Sequence, residues 1–296
     1  MPWGELAALL TAVCWSFTAI FFSFSSRRMG ADVVNRSRLL FAFVYLTITH
    51  WLLEGVFFPR DVELFRWGWL AVSSVLGLVL GDAFLFQAYV LIGPRLSMLM
   101  MAFVPILSTL LGFVLFGELV TSLELIGVML AVGGVAWVVT EGRAGASASD
   151  KKVYRKGLIF GLLGAAGQVA NLITARYALV DGFSSISATL IRIFIALLIL
   201  WVAAAARRQI GHIFQQWRDR QAFKSLLAGA TVGPFLGIWL SMIAVQNARL
   251  GIASTLMALP PVLLIPMEYA LFGRRVSTRA FAGTVVAMAG VALLFV

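Results

Sequence analysis

The chain has 296 residues, 61% hydrophobic and 12% charged, with a formal net charge of +10. A soluble protein carries about 25% charged residues, so this composition excludes an ordinary water-soluble fold and makes the bilayer the solvent. The excess positive charge sits in short loops between apolar stretches, which points to membrane orientation rather than nucleic-acid binding.

Apolar runs predict ten membrane-crossing helices, roughly at 4–24, 37–54, 67–92, 95–116, 123–140, 157–180, 185–206, 225–247, 251–272 and 277–296. The first is not expected to be a signal peptide, because no basic region precedes it and no separate soluble domain follows. In span 1, Thr11, Trp15 and Thr18 share a helical face. Arg38 enters span 2. Span 3 contains GLVLGDAFLFQAY, in which Asp82, Phe86 and Tyr89 share a face and Gly77 and Gly81 form a small-residue pair. Met101 and Pro105 lie in span 4, which ends near Glu118. The polar segment EGRAGASASDKKVYRK (141–156) follows span 5 as a linker. Gln168, Asn171 and Ala175 share a face of span 6, and Arg192 enters span 7. The basic, aromatic segment 207–224 is expected to lie as an interfacial helix on the anionic leaflet. Span 8 carries Gly233, Gly237 and a face of Trp239, Met242 and Gln246, and span 9 carries Met257, Pro260, Pro261, Pro266 and Glu268.

Shifted by 156 positions, the second half falls on the first. Gly77, Gly81, Met101 and Pro105 land on Gly233, Gly237, Met257 and Pro261, and Gly127 and Gly134 land on Gly283 and Gly290. The units are therefore read as 1–140, the linker 141–156, and 157–296. Each half has five spans, and an odd number makes the second half enter the membrane opposite to the first. The fold class expected is thus an all-α integral membrane protein with ten transmembrane helices in two inverted-topology five-helix repeats. The loops after odd-numbered spans hold 18 of the 23 Lys and Arg residues. By the positive-inside rule they are cytoplasmic and both termini lie outside, in a prokaryotic inner or cell membrane.

The stretch MLMMAFVPILSTLLGFVLFGELVTSLELIGVMLAVGGVAWVV (98–139) resembles the EamA repeat of the drug/metabolite transporter superfamily. Pro105, the Phe116-Gly117-Glu118 helix end, Gly127 and Gly134 carry the resemblance. The copy at 254–295 keeps Pro261, Gly273, Gly283 and Gly290, with Arg274 in the place of Glu118. Arg38, Arg192 and Trp15 also look like the family pattern. The resemblance implies a ten-helix carrier with a cavity between the repeats, lined by spans 1, 3, 4, 6, 8 and 9, and often the export of metabolites or amino acids. It also implies both termini in the cytoplasm, against the charge count.

Asp82 is the sharpest candidate, since a carboxylate deep in a span costs a few kcal/mol on insertion scales. It reads as a proton-coupling site, as a counter-charge for a cationic solute, or as a structural partner for Arg192, Tyr89 or a helix end. Its repeat mate is Ile238, so the site is asymmetric. Arg38 and Arg192 read either as binders of a substrate carboxylate or as caps and charge partners, and their matched placement favours the latter. The expected cavity residues are Trp15, Thr18, Asp82, Phe86, Tyr89, Met101, Gln168, Asn171, Trp239, Gln246 and Met257, with Pro105 and Pro261 as matched kinks. Cys14, His50 and His212 form no metal constellation, no cofactor is expected, and no GK[ST] loop or G-x-S-x-G motif supports ATP drive or hydrolysis. The reading is a non-enzymatic secondary transporter of a small organic metabolite, amino-acid-like or amphipathic, exported by alternating access with protons as the candidate coupling ion. Its partners are the solute and membrane lipids, and the chain is monomeric or weakly dimeric. Alternatives are an uncoupled facilitator or exchanger, a multidrug or cation exporter and, in another class, a lipid scramblase or membrane sensor.

Overall fold

The structure, a computed structural model, describes residues 3–104, 106–107, 111, 121–141, 148–248, 253, 256–273 and 277–293. Every regular element among them is helical. In chain order they are α1 (Trp3–Met29), α2 (Ala31–Glu54), α3 (Leu64–Met100), α4 (Ser122–Glu141), α5 (Ala148–Ala178), α6 (Ser185–Ala206), α7 (Ile210–Gln216), α8 (Arg220–Asn247), α9 (Pro260–Phe272) and α10 (Thr278–Leu293).

Glycines set two of the boundaries. Gly30, at φ 90°, separates α1 from α2. Gly93, at φ 79°, breaks α3, and Pro94 starts the next helical stretch. Only glycine enters the left-handed region at little cost, and proline suits a first helical turn. The break at Gly93 is where the sequence separates spans 3 and 4.

Five helices among the described residues are long and apolar enough to cross a membrane: α1, α3, Lys151–Ala178 within α5, α6 and α8. Helices α4 and α10 contribute shorter apolar stretches, Met129–Val138 and Phe281–Gly290. Helix α2 has the length, but buried Arg38 and His50 hold down its apolar average.

Packing joins the halves rather than keeping them apart. Helix α1 lies along α8, α5 runs along α3, α2 packs on α6 and α4 on α10. The 156-residue shift maps each of these pairings onto another or onto itself. Polar ties sit at matched ends. At the end of α1, Ser25 Oγ donates to the Ala222 carbonyl at 3.0 Å, Ser225 Oγ to the Phe21 carbonyl at 2.9 Å, and Arg28 Nε to Asp219 Oδ2 at 2.6 Å. At the start of α3, Arg66 Nη1 donates to the carbonyls of Ala178 and Val180, both at 2.8 Å, while its Nε meets Glu63 Oε2 at 2.7 Å. Glu63 and Asp219 are repeat mates.

Asp219 also caps α8, accepting from the backbone nitrogens of Gln221 and Ala222 at 3.2 and 3.1 Å. The hydrogen bond from Arg28 and those of the cap hold its carboxyl below the usual carboxylate range. A depressed folded-state value contributes stability above the unfolded value of about 3.9, lost as pH falls through the folded one. Asp219→Ala is therefore expected to lower the melting temperature of purified protein at neutral pH. Asp219→Asn restores most of it, because Asn caps nearly as well and an exposed ion pair adds little. Melting of the two variants side by side checks this.

The segment 207–224 departs from expectation. It is not one interfacial helix but α7 and the start of α8, folded back over α2. Trp217 Nε1 donates to Ser37 Oγ at 2.8 Å, and the Trp217 and Phe223 rings pack on Phe41. Arg207, Arg208 and Arg218 remain exposed.

Candidate functional site

The two long helices α3 and α8 loosen at the same place. Ser74–Gly81 in α3 and Thr231–Gly237 in α8 wind as π-helix, at matched positions of the two halves. The last wide turn of each is closed by the backbone N–H of Asp82 onto Gly77 O and of Ile238 onto Gly233 O. Such turns are rare and concentrate at functional sites. Pro234 lacks the N–H that an α-turn needs there. The glycines make room for neighbours: a Cβ on Gly77 would stand 2.6 Å from Asn171 Cγ, one on Gly233 2.7 Å from Thr18 Cγ2, and one on Gly237 3.0 Å from the Trp15 ring.

Next to these turns lies a cavity of about 110 Å³ between the halves. Trp15, Thr18 and Phe22 of α1 line one side, and Asp82, Phe86 and Tyr89 of α3 another. Gln168 and Asn171 come from α5, Arg38 from α2 and Arg192 from α6. Met101, Met257 and Ala258 close it near the start of α9.

A polar chain crosses the cavity wall. Arg38 Nη2 donates to Asp82 Oδ2 at 2.6 Å and to Asn35 Oδ1 at 2.8 Å, and its Nε reaches the same Asn35 oxygen at 3.1 Å. Its guanidinium sits 4.8 Å from the centroid of the Phe86 ring. Gln168 Nε2 donates to Asp82 Oδ1 at 3.0 Å, and Asn171 Nδ2 to Gln168 Oε1 at 3.0 Å. Asn171 Oδ1 accepts from Ser73 Oγ at 2.7 Å and from Arg192 Nη2. Arg192 Nη1 faces Met242 Sδ at 3.3 Å, and Ser74 Oγ holds the Arg192 carbonyl at 2.7 Å. The chain thus ties α2, α3, α5 and α6 together. It sets polar and charged groups against aromatic and thioether walls.

The structure gathers nine expected cavity residues: Trp15, Thr18, Asp82, Phe86, Tyr89, Met101, Gln168, Asn171 and Met257. Trp239 and Gln246 are not among the lining residues. The Trp239 ring stacks on Phe235 at 6.3 Å and packs against the apolar cluster that joins α2, α6 and α8, while Gln246 Nε2 donates to the Phe183 carbonyl at 2.9 Å. The face of α8 that lines the cavity is Pro234, Ile238 and Ser241, one residue or about 100° around the helix from the expected one. Sequence reasoning also missed that Arg38, not Arg192, is the ion-pair partner of Asp82. That both are charges inside spans of the same half narrows the choice without fixing the register that brings them together.

Pro105, Glu118 and Arg274 lie outside the described residues. Pro261 does not kink a continuous helix. It stands in the first turn of α9, after a break at Ala258 and Leu259, where a missing N–H costs nothing. Met101 and Ala102, the mates of Met257 and Ala258, also sit in a turn. His50 bonds across helices, with Nε2 2.9 Å from Ser187 Oγ and Nδ1 2.7 Å from the Val56 carbonyl.

Gly77→Ala is expected to cut solute transport several-fold while the protein still folds. The added methyl must displace Asn171, which anchors Arg192. Initial-rate uptake in proteoliposomes, normalised to folded protein, measures it, and an unchanged rate would detach Asn171 from function.

The family model of EamA-like transporters matches residues 2–140 and 155–296, nearly the whole chain in two copies. The chain belongs to the EamA-like transporter family. This EamA-like chain is therefore an integral membrane protein and a transporter of the drug/metabolite type, built from two repeats. No curated protein matches it. A solved crystal structure of a protein is similar at a TM-score of 0.67 and 18% identity, covering 99% of this chain and 96% of that one. At that identity the likeness shows the fold alone.

Proposed function

We propose that the chain is a secondary carrier that moves a small organic metabolite by alternating access. Ten spans would form two inverted repeats, 1–140 and 157–296, joined by the linker 141–156, with the basic odd-numbered loops cytoplasmic. The observation that carries the reading is the cavity between the repeats, bounded by paired π-turns and broken helices, where repeat carriers place their solute. The polar ties at the ends of α1 and α5 are suited to gates that open in turn. An amino-acid-like or amphipathic solute and export are what the family resemblance implies. Counterflow of labelled solute in sealed proteoliposomes tests the reading. Lipid movement without counterflow would replace it with scramblase activity.

Proton coupling would run through Asp82, whose exchange of Arg38 for a proton opens the polar chain. Asp82→Asn is expected to abolish acceleration of transport by a pH gradient. Full proton-dependent transport by that variant rules the idea out, and an uncoupled facilitator or exchanger then remains.

A further inference from the structure

Two buried donors in the cavity wall have no partner among the described residues: Arg192 Nε and the Tyr89 hydroxyl. Both side chains line the cavity, and they are 1% and 0% exposed. Buried donors are normally satisfied, and a buried charge normally has a counter-charge. Arg192 has neither. Its other contacts are the neutral Asn171 amide oxygen and the thioether of Met242, a weak acceptor. The acid lining the cavity, Asp82, is already engaged at both oxygens, by Arg38 at 2.6 Å and by Gln168 at 3.0 Å. Arg38 and Asp82 cancel, so the described residues leave one positive charge in excess, on Arg192.

We propose that the cavity binds a small organic monoanion, a monocarboxylate with a compact apolar body, whose anionic oxygens are taken by Arg192 and the Tyr89 hydroxyl. The proposal sharpens the carrier reading and rests on it for transport, though binding is measurable without it. Guanidinium groups suit carboxylates, and in a dry site the pairing is stronger than in water. A cationic solute meets the opposite situation: it must displace Arg38 from Asp82 or sit beside Arg192. That disfavours an amine or cation exporter. Size limits the body, since an apolar cavity of about 150 Å³ holds benzene and this one is about 110 Å³. Benzene's six carbons need the larger space, so the apolar body behind the carboxylate is limited to about four carbons, an isobutyl group. Trp15, Phe86 and Met257 supply the apolar walls.

The experiment uses purified full-length protein in detergent and four probes that share an isobutyl body: 3-methylbutanoate, 3-methylbutan-1-ol, 3-methylbutylamine and the larger leucine. Each is titrated at neutral pH to about 10 mM and read as a melting-temperature shift, because a ligand of the folded form stabilises it by mass action. The carboxylate is expected to bind at least about tenfold more tightly than the alcohol, a difference of about 1.4 kcal/mol. The amine is expected to give no shift, and leucine to bind more weakly than 3-methylbutanoate. Arg192→Gln is expected to reduce the carboxylate to the affinity of the alcohol, and Tyr89→Phe to weaken it several-fold. If Arg192→Gln does not fold, the selectivity of the unaltered protein decides. An amine bound as tightly as the carboxylate, or no shift with the carboxylate, overturns the proposal. Carboxylate preference without counterflow keeps the anion site and removes the carrier reading. Counterflow of an amine without carboxylate preference does the reverse.

Discussion

Replacing Asp82 with alanine is expected to destabilise the protein by about 3–5 kcal/mol, the usual cost of stranding one member of a buried ion pair. Arg38 is the member left behind. Its side chain is 3% exposed, and Asp82 supplies its sole anionic contact among the described residues, at 2.6 Å. The loss spreads further, because Gln168 then lacks an acceptor and Asn171 loses the group that orients Gln168. Asp82→Asn keeps an acceptor oxygen and is expected to fall between alanine and the native residue. The double variant Arg38→Met with Asp82→Leu is expected to recover most of the stability, since packed apolar groups often replace a buried pair without loss. Thermal or denaturant melting of the purified variants measures all three. If alanine alone melts within about one degree of the native protein, the pair is not buried as described. The double variant also separates folding from transport, because it removes the carboxylate proposed to exchange a proton together with its ion-pair partner.

The apolar lengths, the duplication and the position of Asp82 are local properties, and they were legible before any coordinates. Composition assigns the solvent, and the repeat corresponds to the two copies that the family model matches. The partner of Asp82 was not legible, because pairing it with Arg38 depends on the register in which α2 lies against α3, 44 positions away. Nothing in a single sequence encodes that register. The cavity faces divide for a related reason. Asp82, Phe86 and Tyr89 follow the π-turn in regular α-helix, so helical spacing predicts their shared face correctly. In α8 the choice of Trp239 rested on its polar and aromatic character, whereas the lining falls on Pro234, Ile238 and Ser241. Ile238 is the mate of Asp82, so the duplication already contained the right phase. Residue chemistry outweighed repeat geometry, and geometry was the better guide. The π-turns themselves escape periodicity because each inserts a wide turn into an otherwise unbroken apolar pattern.

A methyl group at Gly134 or Gly290 is expected to cost about 1–3 kcal/mol each, the penalty for overfilling a packed interface. Helices α4 and α10 touch backbone to backbone. A Cβ on Gly134 would meet the Ala287 nitrogen and stand 2.7 Å from the Gly283 carbonyl oxygen, and one on Gly290 would meet the Ala131 nitrogen and stand 2.6 Å from the Gly127 carbonyl oxygen. The two collisions are repeat mates, and neither involves the end of a flexible side chain that could swing away. Such close approach is how helices associate where lipid leaves no hydrophobic driving force. Gly133→Ala is the control: nothing among the described residues lies within 4 Å of its Cβ, and Ala gains up to about 1 kcal/mol in helix propensity. Melting of Gly133→Ala and Gly134→Ala, adjacent and chemically identical changes, should therefore move in opposite directions. The Gly134→Ala and Gly290→Ala costs should not add, because both relieve themselves by the same separation of α4 from α10. Among the described residues, neither helix contributes to the cavity wall. Solute affinity per folded molecule should consequently stay unchanged in both variants, and a changed affinity would mean that the α4–α10 contact is coupled to the binding site rather than serving as its scaffold.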